Sequence, residues 1–231
     1  AEIVYDTTAF IQTSIKEVFI TLLQAIGLVI LVIYCFLQDW RTTIIPAIAI
    51  PVALIGALAF ALLFGFSINS LTMFGLILAT GVVVDDAIVI VEAVSAKLEQ
   101  GLTPRQASIE VMNEMTGAVV STSLVLMAVF IPVAFFPGTT GKLYQQFALV
   151  MAFAIACSTF NALSFSPSMS AILLRPAQPA RGLLGWLFGK FNQFLIWIRD
   201  RYESSVGFLI RIRYLVMAAF VAALFGTYYM F

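Results

Sequence analysis

LTMFGLILATGVVVDDAIVIVEA, residues 71–93, is the stretch that decides the fold. Apart from two threonines it is apolar until two adjacent acids late in the run, Asp85 and Asp86, with a third, Glu92, close to its end. A bilayer core is crossed by about 20 apolar residues of α-helix. In lipid every backbone N–H must be satisfied internally, so an open-chain segment of this length is helical. A barrel strand would need only about half the length. Applied outward from residues 71–93, the same ruler marks further spans at 18–37, 44–64, 117–136, 145–171 and 212–231. The predicted fold class is therefore an all-α membrane protein with six transmembrane helices, five of them bundled within 18–171.

Composition agrees. The 231 residues are 62% hydrophobic and 10% charged, with a mean hydropathy of +1.05, whereas soluble domains carry about 25% charge. A net charge of zero argues against a nucleic-acid partner, which would be held through basic residues. Histidine is absent, which excludes His-ligated zinc and His-based proton relays. Cys35 and Cys157 sit in apolar runs without ligand-like spacing and read as small buried hydrophobes, so no metal site is expected. The chain starts at Ala1 and carries no three-part signal peptide; it reads as a piece of a longer protein.

Punctuation fits these limits. Ser14 and Glu17 match a capping box ahead of the first span, within an outer lead-in over 1–17. Thr103-Pro104 with Gln106 predicts a short helix between the third and fourth spans. Gly65 with Ser67–Ser70, and Pro137-Gly138 with Gly141, predict tight turns. Ten of the twelve basic residues fall in the first, third and fifth loops, and only Lys16 and Lys142 lie on the other side. The positive-inside rule then puts both termini of the segment outside. Within the inner loop over 172–211, residues 183–198 are apolar and aromatic but interrupted. With Trp186, Lys190, Trp197 and Arg199 they predict an amphipathic helix lying in the inner interface.

The chemistry concentrates on Asp85 and Asp86. Eleven residues separate Asp86 from Lys97, about 16 Å at helical rise, too far for an Asp side chain to reach the interface. Acids at that depth face a protein interior and mark ion or proton paths. Asp86 stands over Gly75, Ala79 and Val82, and Asp85 over Leu78 and Gly81. Small residues let a second helix approach, so both acids are expected to border a packed seam. Two neighbouring buried carboxyls can share one proton and release it to an arriving cation. The competing reading, a pair stapled by Lys or Arg, finds no basic residue in any span.

Weaker candidates surround the pair. Glu92 reads as a solvated helix-end carboxylate, with a widened proton exit as the second reading. Asn161, Ser164 and Ser168 recur at helical spacing in the fifth span, and Ser121, Thr122 and Ser123 open the fourth. They line a hydrated path, or the hydroxyls merely bond the preceding turn's carbonyl. Pro46, Pro51, Pro132 and Pro167 permit kinks, and Gln24 suggests a helix–helix hydrogen bond.

These residues resemble a known family. The run from Gly65 to Gly75 (GFSINSLTMFG) and the run from Gly81 to Glu92 (GVVVDDAIVIVE) are similar to the fourth transmembrane helix of resistance-nodulation-division (RND) efflux pumps, in the hydrophobe/amphiphile multidrug branch. Phe36–Arg41 (FLQDWR), Pro132–Gly138 (PVAFFPG) and Tyr144–Phe147 (YQQF) resemble it too. The resemblance implies transmembrane helices two to seven of a twelve-helix protomer, half of the RND bundle, with 183–198 as the interfacial helix joining the halves. It implies that Asp85 and Asp86 relay protons from the outer compartment, powering drug export by proton antiport without a bound cofactor. It further implies a bacterial inner-membrane homotrimer working with a periplasmic adaptor and an outer-membrane channel. The Lys and Arg that family pumps set beside the aspartates come from later helices, and drug is bound by outer porter domains; neither is in this sequence. Two rivals remain: a self-contained six-helix channel or assembly subunit without coupling, and a related lipid or metal exporter. The first wants polar stripes on several helices. Metal export wants Met or Cys clusters, and the close pair Met112 and Met115 lies in an inner loop.

Overall fold

The computed structural model describes residues 7–176 and 182–230. Eight helices occur among them: α1 (Thr7–Leu37), α2 (Trp40–Leu63), α3 (Ser70–Glu99), α4 (Pro104–Ala134), α5 (Gly138–Leu163), α6 (Phe165–Leu173), α7 (Leu183–Arg211) and α8 (Arg213–Met230). Six stretches are long and apolar enough to cross a membrane: 16–37, 40–63, 70–99, 104–134, 144–173 and 213–230. The chain is an all-α, multi-pass membrane protein.

Several local expectations need correction. The helix holding Ser14 begins at Thr7, so Ser14 lies inside it and does not cap it. The short helix predicted at Thr103-Pro104 is the first part of α4. Thr103 does cap it, its Oγ1 accepting from the Gln106 N–H at 3.4 Å, but the helix then runs for 31 residues to Ala134. That is about 46 Å, longer than the ~30 Å hydrocarbon layer, so one element serves as both loop and span. The fifth span is not one helix; it breaks at Ser164, where α5 ends and α6 begins. The helix predicted over 183–198 extends to Arg211. Gln24 is exposed on α1. Arg181, counted in the inner loop, lies outside the described residues.

The chain divides into two compact units, residues 1–178 and 179–231. In the first unit α5 packs against α2, α3 and α4, which makes it the central helix. Its contacts are close because the facing residues are small. Ala49, Ala53, Ala57 and Ala61 of α2 recur every four residues and are all buried. A Cβ built on Gly56 would stand 2.7 Å from Cys157 Sγ of α5. Membrane helices gain no hydrophobic drive from one another, so close dispersion contact of this kind carries their association.

Polar groups fix the register at the helix ends. Asn69 caps α3, its Oδ1 accepting from the N–H groups of Leu71 at 2.9 Å and Thr72 at 3.0 Å. Its Nδ2 donates to Gln146 Oε1 of α5 at 2.7 Å, so α3 and α5 begin at the same end of the bundle. At the opposite end Lys97 Nζ of α3 donates to Glu110 Oε1 at 2.5 Å and Glu114 Oε1 at 2.8 Å, both on α4. A lysine read simply as a loop charge is thus the clamp between two helices. Exposed ion pairs contribute little and are screened by salt. Lys97→Met is therefore expected to lower the melting temperature of the purified protein by a few degrees in dilute buffer and by less in 1 M salt, which a melting series across salt concentrations checks.

In the second unit α7 carries aromatic rings under cations: Lys190 Nζ lies 4.4 Å from the Trp186 ring centre, and the Arg201 guanidinium lies 5.8 Å from that of Trp197. Rings paired with basic groups suit a headgroup boundary.

Candidate functional site

Asp85 and Asp86 stand midway along α3, and the helix turns them in different directions. Asp86 is half-buried and faces the seam with α4 and α5. Gly75 and Ala79, which lie beneath it at helical spacing, are buried on the same face. Asp85 is exposed, contrary to the expectation that both acids border a packed seam. The reason is the ~100° step between successive helical residues, which places Asp85 on the outward stripe Phe74, Leu78, Gly81, Asp85, Val89 and Glu92. Its spacing of three and four residues makes it a single face of the helix.

Asp86 is bracketed by two hydroxyls. Ser158 Oγ of α5 stands 3.3 Å from its Oδ2, and Ser123 Oγ of α4 stands 3.5 Å from the same atom. Each hydroxyl has a second acceptor in reach: Val83 O at 2.6 Å for Ser158, and Val119 O at 2.8 Å for Ser123. A serine carries one proton to donate. It can give that proton to the carbonyl while a protonated Asp86 donates to its oxygen, or rotate and donate to the carboxylate once the proton has gone. Either charge state of Asp86 can therefore find a hydrogen-bond partner, which offsets the cost of withdrawing the group from water. Among the described residues no Lys or Arg is ion-paired to either aspartate; the described pairs join Lys97 to Glu110 and Glu114, and Arg199 to Asp200.

The remaining candidates disperse. Ser123 reaches Asp86, whereas Ser121 bonds back to the Gly117 carbonyl at 2.7 Å and Thr122 to that of Val119 at 3.0 Å. Asn161 is buried and its Nδ2 lies 3.5 Å from Ala49 O of α2. Ser164 and Ser168 are exposed and bond back to Phe160 O at 2.5 Å and Ser164 O at 2.7 Å. Glu92 is exposed at the wall of a recess of about 260 Å³, shared with Asp39, Ser95, Glu99 and Arg175, and α3 continues past it to Glu99. Ser158 escaped the sequence reading. It sits three residues before Asn161, so extending that polar stripe one turn backward would have found it.

A family model described as the AcrB/AcrD/AcrF family matches residues 1–231. The chain is 46% identical over 227 residues to the multidrug export protein AcrF of Escherichia coli K12, covering 95% of this chain and 22% of that protein. It is 43% identical over 228 residues to the multidrug resistance protein MdtF of the same strain, covering 96% and 22%. It is also 41% identical over 234 residues to the toluene efflux pump membrane transporter TtgB of Pseudomonas putida, covering 98% and 22%. The chain thus spans about a fifth of the length of the relatives it matches.

Proposed function

This chain belongs to the AcrB/AcrD/AcrF family of RND multidrug efflux transporters, and from that premise we propose that Asp85 and Asp86 form the proton relay of a proton-driven drug exporter. The observation that carries the reading is the pair itself: two acids midway along a helix long and apolar enough to cross a membrane, one of them bracketed by two hydroxyls. Acids at that depth are retained where they couple to ion movement. The outward stripe through Asp85 is the natural seat for a cationic helix from the rest of the transporter, which would compensate the second carboxylate. Protons enter from the outer compartment, with both ends of this segment on the periplasmic side of a bacterial inner membrane, as the ten-to-two basic asymmetry supports. The proton-motive force is the energy source and no bound cofactor takes part. Drugs and organic solvents, named for the relatives, are the proposed cargo of the complete protein. A homotrimer joined to a periplasmic adaptor and an outer-membrane channel is the proposed assembly.

The test is proton release into the lumen of proteoliposomes carrying the complete protein, followed with a trapped pH dye while drug is supplied. Drug-stimulated proton movement is expected in the parent and absent in Asp85→Asn and Asp86→Asn. Undiminished coupled movement in both variants would remove the relay assignment.

A further inference from the structure

We propose that Ser166, Ser170 and Ser108 hold ordered water that carries protons between Asp86 and the end of the bundle marked by Arg105 and Arg175. The proposal rests on the relay reading and adds a route to it. These three hydroxyl oxygens are buried, and no described protein atom bonds to any of them. Ser166 and Ser170 have no solvent exposure at all, and Ser108 is 4% exposed. Other hydroxyls in the bundle behave differently. Thr80, Ser95 and Thr159 each bond the carbonyl four residues back, at 2.8–2.9 Å, and need nothing further. A buried hydroxyl left without a partner is costly, and a buried water with several polar neighbours is the usual remedy.

Their positions form a line. Ser158, beside Asp86, is followed by Asn161, Ser166 and Ser170, all buried. Ser166 lies about 12 Å and Ser170 about 18 Å beyond Ser158 at helical rise. Because α4 runs the opposite way, Ser108 stands about 22 Å from Ser123 toward the same end. The α5–α6 break adds an acceptor, since Pro167 offers no N–H to the carbonyl four residues back, at Leu163. Between α4 and α6 a groove of about 320 Å³, with Arg105, Ser108, Asn113 and Ser168 among its walls, reaches Ser108 from outside the bundle.

The transfer is a relay of equivalent bonds. The Asp86 carboxyl passes its proton to the nearest water, leaving a carboxylate. Each water or hydroxyl along the line accepts one proton and gives up another, and one hydronium emerges at the groove. No oxidant or co-reactant is needed.

A water-resolving experimental map of the complete protein, together with the double variant Ser166→Ala/Ser170→Ala and the single variant Ser108→Ala, tests the proposal. The expected result is water density within hydrogen-bond distance of the three hydroxyls, with drug-stimulated proton release several-fold slower in the variants and a melting temperature no higher than the parent's. A dry interface, a more heat-stable double variant, or proton release at the parental rate in the variants overturns it. Failure of the underlying relay reading looks different: Asp86→Asn then releases protons normally. Failure of this proposal alone leaves Asp86→Asn inert and the serine variants normal.

Discussion

Asp86→Asn in the complete protein is expected to bring drug export down to the level of cells lacking the transporter, with membrane abundance and trimer formation unchanged. The substitution keeps the side-chain shape and one acceptor oxygen for Ser158 and Ser123, which stand 3.3 and 3.5 Å from the native Oδ2. What it removes is the ability to change charge, so the hydroxyls are never called on to rotate. The melting temperature should stay within about 2 °C of the parent, because no cavity is made and no buried group is orphaned. Ser158→Ala is the informative companion. It leaves Asp86 titratable but takes away one of its two hydroxyls, so export should fall partway while the drug concentration giving half-maximal rate barely moves. Drug accumulation, protein abundance and melting measured on the same preparations separate these outcomes. Export by Asp86→Asn at the parental rate would show that the charge change at this position drives nothing.

Gly141→Ala is expected to fail at an earlier stage, in folding. A Cβ at this position would collide with the backbone carbonyl of Phe136, in the turn joining α4 to α5. A flexible side chain could swing aside; a carbonyl moves only with the turn. Overpacking against fixed backbone is destabilising by about 3 kcal/mol or more. The displacement would reach Gln146, further along α5, and so the bond that ties it to Asn69 at the start of α3. Low yield of folded protein by fluorescence-detected size-exclusion chromatography, with a lower melting temperature for what survives, is the expected result. Normal yield and melting would mean that the turn yields readily.

The sequence made the fold legible where physics leaves a single solution. Uninterrupted runs of 20 or so apolar residues are what crossing lipid requires, and six helices long and apolar enough to cross a membrane are present, although the third runs on to Glu99 and the fourth starts at Pro104, 13 residues before the expected limit of 117. The acids in residues 71–93 were equally plain, since nothing conceals two adjacent aspartates in a run of valines. Direction was harder. Whether Asp85 faces a seam depends on which neighbouring helices are present, and its own stripe of Leu78 and Gly81 did not reveal that none of α1 to α6 covers it. The hydroxyls of the fifth span show the other kind of failure. Projecting Asn161, Ser164 and Ser168 onto one face assumes an unbroken helix. The chain instead ends α5 at Leu163 and restarts at Phe165, and this rotates Ser166 and Ser170 inward while Ser164 and Ser168 turn outward. Pro167 announced a kink but not its direction, because that depends on packing against α4. Where α4 itself begins was readable from Thr103-Pro104. That it would run on without a stop through the membrane was not, since no glycine or proline after Pro104 marks where water gives way to lipid until Gly117.

The discontinuity at Ser164 has a mechanical meaning as well. With Pro167 contributing no rung, the α5 and α6 hydrogen-bond ladders meet at a compliant joint. A displacement of the half that holds Ser158 against Asp86 can be taken up there as a change of angle, without pushing the short half that follows the joint. Under the proposed relay, a change of charge at Asp86 would turn α5 about this joint, with the short helix beyond it as the fulcrum.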